Sequence, residues 1–213
     1  MTHLVDTVLS IVLLSILLSF GSSRLPVLIR VIGFQGIVVS IVPLLIGHNL
    51  SASGIAFNLV TLLIRGIVIP LSIYLAIKKV AIRREVEPIF GQHASMLAWL
   101  GLIAAAAFIG DRFNLPAISN HVLLMPTAIA LLAGGMFVLM GHRNAIAMVL
   151  GYIMMENGIY LVGTTFSTSV HHIVEFGILL DVLAGVMIMA VILQNIKQQF
   201  DGVDTSLLRT LKE

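Results

Sequence analysis

Long apolar runs dominate the chain, and its polar residues gather between them. Seven such runs lie at about 4–20, 26–46, 57–77, 94–110, 121–140, 145–166 and 173–195. Apolar runs of about 17–25 residues are long enough to cross a bilayer as helices. Only helices and closed barrels can span a membrane, and the runs do not alternate as barrel strands do. Each run therefore predicts a transmembrane helix, with the short, alanine-rich fourth run giving the weakest signal.

The composition agrees with an all-α, polytopic membrane protein. The chain has 213 residues, of which 59% are hydrophobic and 10% are charged, whereas soluble domains are about 45–50% apolar and about 25% charged. The absence of cysteine excludes disulfides, thiolate catalysis and cysteine-bound metal clusters. The N-terminus lacks the basic segment of a signal peptide, so the first run is interpreted as a membrane helix.

Lysine and arginine are unevenly distributed between the connecting segments. With the N-terminus outside, the outer loops hold only Arg112. The inner loops, the helix ends beside them and the C-terminal tail then hold Arg24, Arg30, Lys78, Lys79, Arg83, Arg84, Arg143, Lys197, Arg209 and Lys212. Cytoplasmic loops carry the excess of basic residues in membrane proteins. The pattern predicts an outer N-terminus and a cytoplasmic C-terminus.

The spacing of the runs divides the chain into four regions. Three predicted helices occupy 1–93, a fourth helix and an outer loop occupy 94–120, and three closely connected helices occupy 121–196. A polar cytoplasmic tail follows at 197–213.

Among the ionisable residues inside the predicted spans, four stand out as informative. They are Arg65, Glu156, Glu175 and Asp181. A charged side chain at the centre of a membrane helix costs about 2.5–3.5 kcal/mol on insertion scales, so each is a candidate functional residue.

Glu156 lies near the middle of the sixth run, beside Asn157 and one turn before Tyr160. Tyr160 falls on the same helix face and is a candidate hydrogen-bond donor to the carboxyl. Without a nearby cation, a low dielectric favours the neutral carboxyl, and a group that can take either form suits a proton path. The alternative is a neutral side chain that hydrogen-bonds between helices and only stabilises their packing.

Asp181 and Glu175 lie on the seventh run. Asp181 is near its middle, with Gly177 and Gly185 four residues to either side, where they would allow close approach of another helix. Glu175 is six residues earlier and closer to the outer interface, where solvation is the competing interpretation.

Arg65 lies in the middle of the third run, where the apolar residues on both sides prevent it from reaching either membrane surface. Pro70 cannot donate a hydrogen bond to the carbonyl of Gly66, which predicts a kink beside the guanidinium. Two interpretations of Arg65 follow. It is a fixed charge that lies within an ion path or faces an acid of a partner subunit, or it pairs with Glu156 or Asp181 to fix helix packing.

No sequence feature indicates an active site. His171 and His172 are adjacent, with no third ligand in reach, and make a poor metal site. The chain has no phosphate-binding glycine loop, nucleophile–base arrangement or dinucleotide fingerprint. We therefore expect no catalysis, cofactor or metal in this chain, and no nucleic-acid partner; the bilayer and other proteins are its expected surroundings.

The segments "RNAIAMVLGYIMMENGIYLV" and "EFGILLDVLAGVMIMAVIL" resemble component E of the hydrogenase-4 type membrane-bound [NiFe] hydrogenases and formate hydrogenlyases. The segment "RGIVIPL" and the chain length extend this resemblance more loosely over nearly the whole sequence. The last three helices of that family are similar to the K subunit of complex I and the C subunit of multisubunit sodium/proton antiporters. The Arg65 position is usually lysine in the family pattern, and arginine, which effectively never loses its proton, is a poor proton carrier.

The resemblance implies a non-redox subunit of a complex I-like hydrogenase or formate hydrogenlyase in the prokaryotic cytoplasmic membrane. Its partners would be antiporter-like membrane subunits and a hydrogenase peripheral arm that carries the [NiFe] centre and Fe–S clusters. Glu156 and Asp181, with Arg65 beside them, would couple electron transfer to proton or sodium movement. The alternatives are a subunit of a quinone-reducing or antiporter-type relative, a structural subunit that conducts no ions, and a stand-alone transporter.

Overall fold

The fold was analysed in a computed structural model that describes residues 2–20, 24–46, 52–80, 91–110, 112, 121–142, 145–166 and 185. Its regular elements are helices. They are α1 (Thr2–Phe20), α2 (Leu25–Ile46), α3 (Ala52–Leu63), a π-helical turn (Ile64–Val68), α4 (Ile69–Val80), α5 (Gln92–Gly110), α6 (Leu124–Gly141) and α7 (Ala145–Phe166). The described part of the chain is therefore all-helical, in agreement with the fold class that the apolar runs predict.

Five helical stretches in this part of the chain are long and apolar enough to cross a membrane. They are Leu25–Ile46, Asn58–Leu75, His93–Gly110, Leu124–Gly141 and Ile146–Gly163, and a shorter apolar helix covers His3–Ser19. The second stretch runs through α3, the π-helical turn and α4 without a break. Apart from Gly185, the seventh predicted span, with Glu175 and Asp181, lies outside the described residues, so the count of seven helices and the orientation stay predictions.

Two apolar clusters hold the helices together. The first joins buried side chains of α1, α5, α6, the second half of α2 and the part of α7 from Met154 onward, with Trp99 and Leu131 among its largest members. The second joins α2, α4 and the N-terminal half of α7 through aliphatic residues such as Ile32, Ile73 and Leu150. Helices from the predicted N-terminal and C-terminal regions thus share both clusters.

Glycine sets the close contact between α6 and α7. A Cβ atom at Gly158 would lie 2.8 Å from the Leu132 amide nitrogen and 2.9 Å from the Ala128 carbonyl oxygen. A Cβ atom at Gly135 would collide with the backbone of Gly151 and Met155. Small residues at such positions let membrane helices approach closely enough for extensive van der Waals contact. The α6–α7 pair is therefore a tightly packed unit against which the remaining helices lie.

The outward faces of the helices are apolar. Large side chains such as Leu59, Leu63, Ile67, Leu97 and Phe108 are each at least half exposed. Exposed apolar side chains surrounding a core that contains polar groups are expected when the surrounding solvent is lipid. This surface agrees with a membrane location.

Candidate functional site

The site is centred on the π-helical turn between α3 and α4. The Ile69 N–H donates to the carbonyl of Ile64, five residues back, so one extra residue enters the turn that contains Arg65 and Gly66. Pro70 has no N–H with which to continue the normal ladder. The kink predicted at Pro70 thus takes the form of a π-helical turn, a feature that is frequent at functional sites.

Glycines of α2 allow the π-helical turn to approach closely. A Cβ atom at Gly36 would lie 3.0 Å from the carbonyl oxygen of Arg65, and one at Gly33 would lie 2.9 Å from the Pro70 Cγ. Larger residues in α2 would therefore push the turn outward. The two glycines fix the point from which the Arg65 side chain extends into the protein.

The Arg65 guanidinium is held by α7. Its Nη2 donates to the Glu156 Oε1 at 2.8 Å, and its Nη1 donates to the Asn157 Oδ1 at 3.3 Å. Arg65 is 3% exposed and Glu156 is 1% exposed. Residues 91 positions apart in sequence therefore form a buried, charge-assisted contact.

The aromatic ring of Tyr160 completes the contact surface around the guanidinium. The Arg65 Cζ lies 4.4 Å from the centroid of this ring, within the distance at which a cation is attracted to an aromatic face. Tyr160 is one turn beyond Glu156 on α7, as its spacing predicted. The structure shows its ring against the guanidinium, where the sequence had led us to consider a hydrogen bond to the carboxyl.

This arrangement supplies Glu156 with a cation from its own chain. An arginine side chain is effectively always protonated, so it stabilises the carboxylate form of a neighbouring acid. Two charges taken out of water are tolerated only when they are well paired and hydrogen-bonded. Proton uptake by Glu156 would leave the guanidinium without this counter-charge, so the two side chains are electrostatically linked.

The described helices bury further polar groups. Gln35 donates from Nε2 to the Ser15 Oγ at 3.0 Å and so links α2 to α1. In the described ranges, the Gln35 Oε1, the Thr127 Oγ1 and the Asn157 Nδ2 are buried without a hydrogen-bond partner. Buried polar atoms of this kind are places where internal water binds.

The structure brings together only part of the predicted site. Arg65, Glu156, Asn157 and Tyr160 meet in one contact, whereas Glu175 and Asp181 lie outside the described residues. Across the described part of the chain, no group of three or more His, Cys, Asp and Glu side chains is placed to hold a metal ion.

Two buried polar residues on the helix that carries Arg65 were missed by the sequence interpretation. Asn58 and Thr61 are 5% and 4% exposed and lie on the same face of α3 as Arg65. Positions 58, 61 and 65 are separated by three and then four residues, which places them on one helix face and could have identified them from the sequence.

The described residues form an all-helical structure whose helices are long and apolar enough to span a membrane and bury an arginine–glutamate ion pair. Among curated proteins, the chain is 28% identical over 190 residues to Uncharacterized protein Rv0085 of Mycobacterium tuberculosis, which covers 87% of this chain and 86% of that protein. It is 23% identical over 146 residues to Hydrogenase-4 component E of Escherichia coli K12, covering 68% of each chain. Hydrogenase-4 component E of Shigella flexneri shows the same identity and coverage. No family model matches the chain, and no solved structure matches it.

Proposed function

We propose that this protein is a membrane subunit of a hydrogenase complex, in which it couples electron transfer in partner subunits to the movement of protons or sodium ions. The contact between Arg65 and Glu156 at 2.8 Å is the observation that carries the proposal. The distant similarity to Hydrogenase-4 component E supplies the kind of complex. Its partners would include antiporter-like membrane subunits and a hydrogenase peripheral arm of the formate hydrogenlyase type. The [NiFe] centre and Fe–S clusters would reside in that arm.

The ion pair gives this coupling a physical basis. Arg65 supplies a permanent charge, and Glu156 is the titratable member of the pair. If a partner subunit places an acid near Arg65, or moves Arg65 away, Glu156 loses its stabilising cation and takes up a proton. When the original contact returns, the proton is released. Asp181 and Glu175 are proposed as further carriers along the same path.

The test is Glu156→Gln, measured in membrane vesicles at matched amounts of assembled complex. Glutamine keeps the shape of the side chain and an oxygen acceptor for the guanidinium, but it has no carboxyl group to take up or release a proton. We expect normal assembly, loss of the coupled ion movement, and slowed or uncoupled electron transfer. Repeating the assay in sodium-free buffer separates proton from sodium movement.

Asp6→Asn is the matched control, because it makes the same acid-to-amide change on α1 away from the ion pair. It is expected to retain wild-type ion movement. If Glu156→Gln also retained the wild-type ratio of ions moved to electrons transferred, the pair would be a packing contact. The protein would then be better described as a structural subunit that conducts no ions.

A further inference from the structure

One buried helix face changes from polar to apolar at Arg65. The stretch through α3, the π-helical turn and α4 buries Asn58, Thr61, Arg65, Ile69 and Ile73 at successive spacings of three or four residues, each at most 6% exposed. The residues before Arg65 on this face are polar, and those after it are aliphatic. The described outer face of the same stretch is mostly apolar, with Leu59, Leu63 and Ile67 at least half exposed. Among the buried residues, the polar ones therefore lie in one direction from the ion pair.

The neighbouring helix α7 changes at the same level. Its N-terminal half buries mainly aliphatic residues such as Val149 and Ile153, with the ring of Tyr152 among them, and the polar group Glu156, Asn157 and Tyr160 follows. Since Glu156 contacts Arg65, the N-terminal half of α7 lies at the same level as α4, and both belong to one apolar cluster with α2. On one side of the site both helices therefore bury mainly apolar side chains. Their buried polar side chains lie at the site or on its other side, where Leu161 is also buried.

The first half of helix α2 adds buried aliphatic side chains to the apolar end of the site. Gly33 packs against Pro70 and Gly36 against Arg65, so α2 runs antiparallel to α3 and α4. Its first half buries Leu28, Ile29 and Ile32 in the same cluster as Ile73 and Ile153. Three helices thus meet in an aliphatic layer on the side of the ion pair where α2 begins and α4 ends.

We infer that Glu156 exchanges protons with water from one end only, the end at which α3 begins, along a path lined by Asn58 and Thr61. Asn58 lies seven residues from Arg65, or about 10 Å along the helix, a distance that hydrogen-bonded water can bridge between polar side chains. Polar residues within membrane spans characteristically face the bundle interior or a water-filled cavity. In this proposal the largely aliphatic layer of α2, α4 and α7 is the barrier to water at the other end. The distribution of lysine and arginine predicts that the open end faces outward.

The use of the proton at Glu156 rests on the proposed function, but the access of water to the path can be tested separately. The natural chain has no cysteine, so single cysteines can be labelled without removing others. We would compare Thr61→Cys and Asn58→Cys with Ile69→Cys and Ile73→Cys in the full chain in membrane vesicles. The probe is a charged, water-soluble methanethiosulfonate applied from either side of the membrane.

Only a thiolate in contact with water reacts with this probe, so we expect Thr61→Cys and Asn58→Cys to react at least about tenfold faster than Ile69→Cys and Ile73→Cys. The faster reaction should occur from one membrane side. Leu59→Cys is the control for depth, because Leu59 lies next to Asn58 but faces outward with 54% of its surface exposed. It is expected to react slowly in lipid.

Equal, slow reaction at positions 58, 61 and 69 would show that Asn58 and Thr61 form a dry interhelical contact, and would overturn the inference. Faster reaction at positions 69 and 73 would show that water enters from the end where α4 lies, and would also overturn the inference. Thr61→Cys replaces a hydroxyl with a thiol of similar size, so this variant decides the question if Asn58→Cys fails to fold. A one-sided labelling pattern together with unaltered ion movement in Glu156→Gln would retain the path and reject the proposed function.

Discussion

Replacing Glu156 should destabilise the protein more than replacing its partner Arg65. In Glu156→Met, an arginine that cannot lose its proton remains buried at 3% exposure opposite a thioether. In Arg65→Met, the remaining carboxyl can take up a proton and become neutral. Removing one partner of a buried pair typically costs about 3–5 kcal/mol, and we expect Glu156→Met to lie in the upper part of this range. Arg65→Met should cost less.

The double variant Arg65→Met with Glu156→Met is expected to be more stable than Glu156→Met alone. It leaves no unpaired charge, and replacing a buried ion pair with apolar side chains of similar volume is often neutral or stabilising. The polar side chain of Asn157 and the ring of Tyr160 would still lose their contact with the guanidinium, so full recovery is not expected.

The assay is unfolding of the purified protein in mixed detergent micelles, analysed as a double-mutant cycle. In the unfolded state, Arg65 and Glu156 remain on separate inserted helices, so the cycle measures their pairing and not their insertion into the membrane. Additive losses, with the double variant less stable than either single variant, would refute the coupling. A larger loss for Arg65→Met than for Glu156→Met would refute the reasoning from protonation.

Two further predictions follow from other contacts of the described helices. Gly135→Ala should destabilise the protein by more than about 1 kcal/mol, because its Cβ atom would meet the backbone of Gly151 and Met155. Gly101→Ala, where a Cβ atom meets nothing within 4 Å, should be neutral or stabilising by up to about 1 kcal/mol; equal effects in detergent unfolding would contradict the packing of α6 against α7. Tyr160→Leu should cost about 2 kcal/mol through loss of the aromatic face under the guanidinium. Tyr160→Phe should keep this attraction, and a thermal midpoint for Tyr160→Leu equal to that of wild type would argue against it.

The sequence by itself determined that the protein is helical and apolar enough for a membrane. Apolar runs of span length force a single secondary structure, because a backbone in lipid must satisfy its hydrogen bonds within each helix. Five of the described helical stretches have that length and composition. The sequence also identified Arg65 and Glu156, because ionisable residues within such runs are rare and energetically costly.

Only the tertiary structure decided which residues form a pair. Arg65 had two candidate acids, Glu156 and Asp181, and periodicity along one helix carries no information about which face of another helix it meets. The contact depends on glycines of α2 and a π-helical turn that shifts the helix face by one residue. The polar stretch Asn58–Thr61–Arg65 shows the same limit. Its spacing is visible in the sequence, but its burial depends on the helices that surround it.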